Sequence, residues 1–398
     1  MRIQRLQLTN YRNFSRLDIQ LPSGLSVFVG DNAQGKSNLL EAVYLVATMR
    51  ALRAEVDAQL ISRESLKDDV LPVARIVAEA ETSGESVRLE VLVAARPGAN
   101  GPIATKTVKV NGVAKRLSDA VGRLTAVLFT ADDLDLITGP PSGRRRYLDI
   151  MLAQVDHQYA VARSRYERVL DQRNHLLKRV REGAARAEEL GFWDDELCRA
   201  GAVVLQRRTV ELANVRDLAA ESHLALVPGD VLALAYEPRL DNPGAAPTGA
   251  SVDEVATLFA SSLALGVAHD IAAGMTLQGP HRDDFSILLN GASASGFASR
   301  AQQRTIALAL RLAEAQLLHQ RRGEPPVLLL DDILSEMDAG RRRAVLSSLI
   351  AAEQILVTGT DWDRFPESSA APAAVFQVEG GAVRTALTGP VDQRTAGS

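Results

Sequence analysis

Apolar positions in the first thirty residues alternate with polar ones. Ile3, Leu6 and Leu8, then Ile19 and Leu21, are spaced for short β-strands. Asn10–Asn13 and Pro22–Gly24 break these segments, and Ser26–Val29 is a short apolar strand that ends at Gly30. Beyond Gly35 the period becomes helical, with Leu39, Leu40, Val43 and Val46 predicting a helix over Asn38–Met49. Strand patterns return at Val73–Ala80 and Val87–Ala95. Thr107–Val110 runs into the hairpin dipeptide Asn111-Gly112, and Ala126–Phe129 is a further apolar strand.

The texture changes at Gly139-Pro140-Pro141. From Ser142, read as an N-cap, helical periodicity continues for roughly eighty residues. One stripe joins Tyr147, Leu148, Met151, Val155, Tyr159, Tyr166 and Leu170; a second joins Leu190, Trp193, Leu197, Leu205, Leu212 and Val215, with Gly183 between them. The pattern predicts two long antiparallel helices, an α-hairpin that either projects as an arm or lies flat on the core. Residues 225–250 read as loops around one strand near Val231–Tyr236. The α/β pattern then resumes. Phe285–Leu289 is a strand ending at Asn290-Gly291, Ala301–Gln320 a helix, Val327–Leu330 a buried strand, Arg341–Ala352 a helix and Ile355–Val357 another buried strand. The implied boundaries are an N-terminal α/β part over 1–138, a helical insertion over 139–269, a C-terminal α/β part over 270–385 and a disordered tail over 386–398.

Composition narrows this picture. The 398 residues are 46% hydrophobic and 24% charged, an ordinary globular mix. The net charge of −4 means that any nucleic-acid surface must be a local patch. Cys198 is the single cysteine, so an internal disulfide is excluded. The N-terminus lacks the apolar stretch of a signal peptide, and no uncharged apolar run reaches the roughly 18 residues that span a bilayer. The expectation is a cytoplasmic protein without a membrane partner.

Chemistry enters at Gly30-Asp31-Asn32-Ala33-Gln34-Gly35-Lys36-Ser37, which satisfies G-x-x-x-x-G-K-[ST] at every fixed position. A strand precedes it and a helix follows, as a phosphate-cradling loop requires. Lys36 would reach the β- and γ-phosphates of ATP, and Ser37 would hold Mg²⁺. The strand Val327–Leu330 ends in Asp331 and Asp332. Asp331 is the candidate to support the metal and Asp332 the candidate to polarise the attacking water. Lys36 and Asp331 lie 295 positions apart with the helical insertion between them. A compact P-loop fold keeps these elements in one continuous domain. The split therefore predicts an α/β fold of the P-loop ABC/SMC-type ATPase head, with a helical arm inserted between its two halves.

Several further segments occur in order: Leu8–Phe14, Gly30–Ala42, Phe129–Asp135, Arg144–Asp149, Gly279–Asp284, Gln302–Thr305 and Leu330–Asp338. With these, the chain resembles the bacterial RecF family of recombinational-repair ATPases, relatives of SMC heads, over most of its length. The resemblance implies that Ser299, Arg300, Ala301 and Gln302 correspond to a signature motif. That motif closes over the γ-phosphate held by a second copy, so that ATP drives homodimerisation. Ala301 departs from the expected glycine, and a plain helix N-cap at Ser299 is the other reading. Ser335–Asp338 resembles a D-loop, Thr358–Asp361 a γ-phosphate switch, and Arg12 a basic residue beside the nucleotide or else a solvated arginine. Asp332 stands where many relatives carry glutamate, and the shorter reach predicts slow hydrolysis. His281 and Arg282 have no assigned role; a structural ion-pair cluster is the simplest account of them.

The same resemblance implies binding to single-stranded DNA and to single-/double-strand junctions or gaps. It also implies cooperation with RecO- and RecR-type partners in recombinase loading and SOS induction. Locally, Arg144, Arg145 and Arg146 form a run. Arg163, Arg165, Arg168, Arg173, Lys178, Arg179 and Arg181 follow, interspersed with acids, and they read either as a phosphate-contacting face or as a salt-bridged solvated one. Two other function classes stay open, a structural SMC-like ATPase without a repair role and a metabolic P-loop enzyme.

Overall fold

The computed structural model describes residues 1–54, 56–98, 101–240, 249–333, 352–360 and 372–388. The D-loop segment Ser335–Asp338, the helix expected over Arg341–Ala352 as far as residue 351, Asp361, and residues 389–398 of the tail expected over 386–398 lie outside the described residues; residues 386–388 of that tail are the end of a β-strand.

Along the chain, β1 (Arg2–Tyr11), β2 (Phe14–Gln20) and β3 (Gly24–Val29) precede α1 (Lys36–Thr48) and α2 (Arg63–Asp68). Then come β4 (Val73–Thr82), β5 (Glu85–Arg96), β6 (Ile103–Val110), β7 (Val113–Lys115), α3 (Leu117–Ala120) and β8 (Ala126–Thr130). The helical stretch comprises α4 (Asp135–Thr138), α5 (Pro141–Val155), α6 (His157–Arg181) and α7 (Leu190–Leu226). It is followed by β9 (Leu232–Glu237), α8 (Val252–Ala273), β10 (Asp284–Leu289), β11 (Ala292–Ser293), α9 (Ala294–Phe297) and α10 (Arg300–Arg322). The last elements are β12 (Val327–Asp331), β13 (Gln354–Gly359), β14 (Ala374–Glu379) and β15 (Ala382–Thr388).

The chain divides into two compact units, Met1–Asp132 with Glu314–Ser398, and Asp133–Ala313. Residues 270–313, expected with the C-terminal α/β part, therefore group with the helical segment. The reason is local: β10 pairs with β9 from Asp284↔Glu237 to Leu289↔Leu232, which ties this stretch to the chain that follows α7.

The first unit holds two sheets. One is antiparallel, in the order β2-β1-β4-β5-β6-β7; the other runs β15-β14-β3-β13-β12-β8, parallel except for β15. Helix α1 packs against β4 and β5 of the first sheet and β8, β12 and β13 of the second. This explains a difference from the expected single stripe. Eleven of the thirteen α1 residues are buried, because a helix covered on two sides has no solvent face left to be polar. The central strands of the parallel sheet are buried and largely apolar, as in Leu328, Leu329 and Leu330.

In the second unit the expected two-helix pattern resolves into more pieces. The first stripe breaks at Asp156, whose extended backbone ends α5 and whose carboxylate accepts from Tyr159 N to cap α6. Helix α5 starts at Pro141 with Pro140 as its cap, so Ser142 lies inside it, where Pro141 supplies a helical φ without a wasted N–H. Arg173 pairs with Asp194 and Tyr159 with Arg208, so α6 and α7 run antiparallel. Helix α8, for which no element was expected, packs Phe259 and Leu263 against Tyr166, Leu197 and Leu205. By length and composition alone α8 would cross a membrane. Its first turn, however, carries a Ser251–Glu254 capping box, and its Asp270 is buried in an ion pair.

Candidate functional site

Strand register assembles the candidate site within the first unit. In the parallel sheet β13 lies between β12 and β3, with Asp331 level with Thr358 and Thr358 level with Phe28. Three neighbouring strands thus end together, delivering Gly30, Gly359 and Asp331 to one edge. Crevices outside the carboxyl ends of parallel strands are where such sheets bind ligands.

Loop residues Asp31, Asn32 and Ala33 are exposed, whereas Gly35 and Lys36 are buried. Ala33 adopts φ +65° and Gly35 φ +110°. Two close approaches enforce glycine here. A Cβ on Gly30 would lie 2.3 Å from the Val378 carbonyl oxygen, and one on Gly35 would lie 2.3 Å from the Asn13 side-chain nitrogen. Asn13 donates to the Gln34 carbonyl at 2.9 Å and accepts from Asn38 at 2.8 Å. On the other side Gly380 N donates to Gln34 Oε1. The β1–β2 and β14–β15 turns therefore hold the loop from both flanks.

Lys36 Nζ donates to the carbonyls of Gly30, at 2.5 Å, and Asp31, at 2.8 Å. Burial pulls its pKa below the usual lysine value, opposed by the nearby charges of Asp332, Asp331 and Asp31. The loop carbonyls thus hold the ammonium at the mouth of the cradle, beside helix N–H groups that have no intrahelical acceptor.

Ser37 Oγ donates to Asp331 Oδ1 at 2.7 Å, and Thr358 Oγ1 donates to the same oxygen at 2.9 Å. Arg53 Nη2 donates to Asp331 Oδ2 at 3.0 Å. A hydroxyl and a carboxylate oxygen already at contact distance form a hard-oxygen donor pair, the kind Mg²⁺ selects. These residues fit the expected ion, with Ser37 and Asp331 as the groups that would hold it. Asp332 is exposed, with its backbone at φ +54° and its N–H donated to Thr358 Oγ1. This left-handed geometry is uncommon for a residue with a Cβ, and aspartate tolerates it better than most.

Arg12 is ion-paired rather than a freely solvated arginine. Its Nε and Nη2 grip both oxygens of Glu41, and Nη1 donates to the Gln59 carbonyl. Burial lowers the Arg12 pKa, but the bonds and charge of Glu41 more than offset this and raise it overall. Glu41 also accepts from Arg53 N, so one buried carboxylate ties the β1–β2 turn and the Arg53 loop to α1. Sequence reasoning missed Asn13, Glu41 and Arg53 as site-building residues. A glutamate inside the apolar run Leu39–Val43 was the available signal, since a buried acid needs a buried partner.

In the second unit, Ser299 and Gln302 open α10. Ser299 N donates to Gln302 Oε1 and Gln302 N donates to Ser299 Oγ, a reciprocal helix cap with Ser299 exposed. Within this chain they make the N-cap of the alternative reading. The arginine run is largely committed. Arg144 makes a two-pronged contact with Asp284, and Arg145 donates to the Asp283 carbonyl. Arg173 is fully buried between Asp194 and Asp270. Arg144 and Arg173 are thus corrected from phosphate contacts to internal ion pairs, because their carboxylate partners lie on neighbouring elements of the same unit. His281 Nδ1 meets the Tyr166 hydroxyl at 2.6 Å and its Nε2 the Thr276 carbonyl at 3.0 Å, a structural role.

Residues 2–384 match the family model described as the RecF/RecN/SMC N terminal domain. The chain is 41% identical to the DNA replication and repair protein RecF of Herpetosiphon aurantiacus, over 92% of the chain and 94% of that protein. It is 39% identical to the protein of the same name from Roseiflexus castenholzii, over 96% and 99%. Its fold superposes with a TM-score of 0.83 on a solved structure of the recombination mediator protein RecF with ATP in the RecFOR pathway, at 28% identity, covering 96% of this chain and 97% of that one.

Proposed function

This chain belongs to the RecF family, and from that premise we propose that it is an ATP-gated DNA-binding protein of recombinational repair and fork maintenance. The observation that carries the reading is the convergence of Lys36, Ser37, Asp331 and Thr358 on one edge of one sheet. Gly30, Asp31, Asn32, Ala33, Gln34 and Gly35 would line the phosphates with backbone N–H groups, and Lys36 would exchange its loop carbonyls for phosphate oxygens. Mg²⁺, when bound, supplies charge neutralisation of the phosphates. Asp332 would accept the proton of an attacking water, slowly because its carboxylate is short.

Ser299 and Gln302 would serve the site of a second copy, making the homodimer the ATP-bound form. The exposed Ser299 hydroxyl supports this, since a cap at a helix N-terminus still offers N–H groups to an anion. DNA, single-stranded or at junctions and gaps, would be held through phosphates, with RecO- and RecR-type proteins as partners in recombinase loading and SOS induction. Gel filtration with and without ATP, together with DNA binding with ATP and a non-hydrolysable analogue, tests the proposal. ATP should both dimerise the chain and tighten DNA binding. A chain that stays monomeric and binds DNA equally with and without ATP overturns it.

A further inference from the structure

A cavity of about 460 Å³ opens in the second unit, away from the residues of the phosphate loop in sequence and lined by α5, α6, α7 and the Pro280-His281 turn. Four guanidiniums reach it, those of Arg145, Arg146, Arg163 and Arg208, against the two carboxylates of Asp149 and Glu167. The acids are already used. Asp149 accepts from Arg163 at 2.8 Å and from Arg208 at 2.6 Å, and Glu167 accepts from Arg163 at 2.5 Å. His281 adds no charge at neutral pH, because burial pushes its imidazole down to about 4.

Arg145 is the exception in this wall. It is half-buried, and its one hydrogen bond among the described residues goes from Nη1 to the Asp283 carbonyl, with no carboxylate paired to it. Burial, and then repulsion from Arg208, pull its pKa below the ordinary arginine value, opposed by the charges of Asp284, Asp283 and Asp149. A half-buried guanidinium with no direct ion pair is costly, and part of the cost is recovered when an anion makes direct contact. Ser142 and Gly143, in the first turn of the fifteen-residue α5, line the same cavity and add the positive end of a helix.

We propose that this cavity is a second anion site that takes a phosphoryl group of a nucleic-acid strand, gripped by Arg145 and Arg146 at the start of α5. The inference rests on the DNA-binding reading above and narrows it. It centres on Arg145, with Arg146 beside it in the cavity wall, and leaves out Arg144 and Arg173, which do not line the cavity and pair with Asp284, Asp194 and Asp270.

The test is a salt titration of binding to a fluorescein-labelled duplex with a single-stranded extension, using the full chain with ATP. Arg145→Gln should weaken binding and reduce the slope of log K against log salt by about 1, the loss of one phosphate contact. Arg199→Gln removes the same charge from an exposed position outside the cavity and should leave the slope unchanged. Arg146→Gln, at an exposed position, serves as the second variant if Arg145→Gln does not fold. If DNA binds and neither cavity variant alters the slope, the site is overturned while the DNA reading stands. If the parent chain binds no DNA, that reading falls and inorganic phosphate decides the site. A phosphate-dependent rise in melting temperature that Arg145→Gln abolishes keeps an anion site for a free phosphorylated compound; an equal response in both chains overturns it.

Discussion

Ser37 Oγ and Asp331 Oδ1 lie 2.7 Å apart although 294 positions separate them in the chain. The contact joins the first turn of α1 to the end of β12, and Thr358 on the intervening strand donates to the same carboxylate oxygen. This arrangement makes Asp331 dependent on neighbours for its orientation. Asp331→Asn or Ser37→Ala should weaken Mg²⁺-dependent ATP binding by roughly 10- to 100-fold, the usual cost of disturbing a metal ligand or its support. A fluorescent ATP analogue titrated with and without Mg²⁺ measures it. Equal affinity in variant and parent would remove both residues from the site.

Lys36→Arg should preserve the fold and abolish ATP-dependent dimerisation. The ammonium now fits between the Gly30 and Asp31 carbonyls, a compact pocket that a planar guanidinium does not fill. Circular dichroism melting and gel filtration with ATP check the two halves of this expectation.

Asp332 sits at φ +54°, exposed, at the end of the acidic strand. Turnover should stay well below about 10 s⁻¹, a typical enzyme rate. Asp332→Asn should lower it further while leaving ATP affinity within about twofold of the parent. Steady-state phosphate release measures the rate, and fast turnover would refute the role given to Asp332.

Glu41→Ala should be the most destabilising of the site changes. It strands Arg12 and Arg53 N, which now share one carboxylate of 2% exposure. The expected loss is about 3 kcal/mol, the low end for breaking a buried pair, because Arg12 keeps some contact with water. Urea unfolding gives the number.

His281 predicts an acid sensitivity of the second unit. Burial, with the charges of Arg282, Arg145 and Arg173, sets its folded pKa at about 4, below the unfolded value of 6.5. The unfolded chain therefore binds the proton first. The contribution of neutral His281 is complete above about pH 6.5 and is lost as pH falls toward 4. His281→Gln should be less stable than the parent at pH 7, with the gap narrowing by pH 4.5. A constant gap across that range would exclude the titration.

The parts of this protein that could be read from the chain are those written in consecutive residues. Gly30–Ser37 carries its own strand, turn glycines and helix, so the phosphate loop was legible without a fold. The acidic end of Val327–Asp332 and the long split between the two motifs pointed to an ABC/SMC-type head for the same reason. Break points in the helical stretch were harder. Asp156 ends one helix and caps the next inside an unbroken apolar stripe, and periodicity carries no mark of such a change.

Pairings across long separations belonged to the tertiary structure alone. Arg53 meets Asp331 across 278 positions, and Asn13 wedges against Gly35 because two turns meet at the loop. The arginine run shows the limit most clearly. Arg144, Arg145 and Arg146 are equivalent as letters, but Asp284 pairs directly with the first while the second lines a cavity and donates to a backbone carbonyl instead. Sequence determined which charges exist and where the phosphate cradle begins. Only folding decided which charges are spent inside the protein, because ion pairing depends on distances of a few ångströms that strand register and helix packing set.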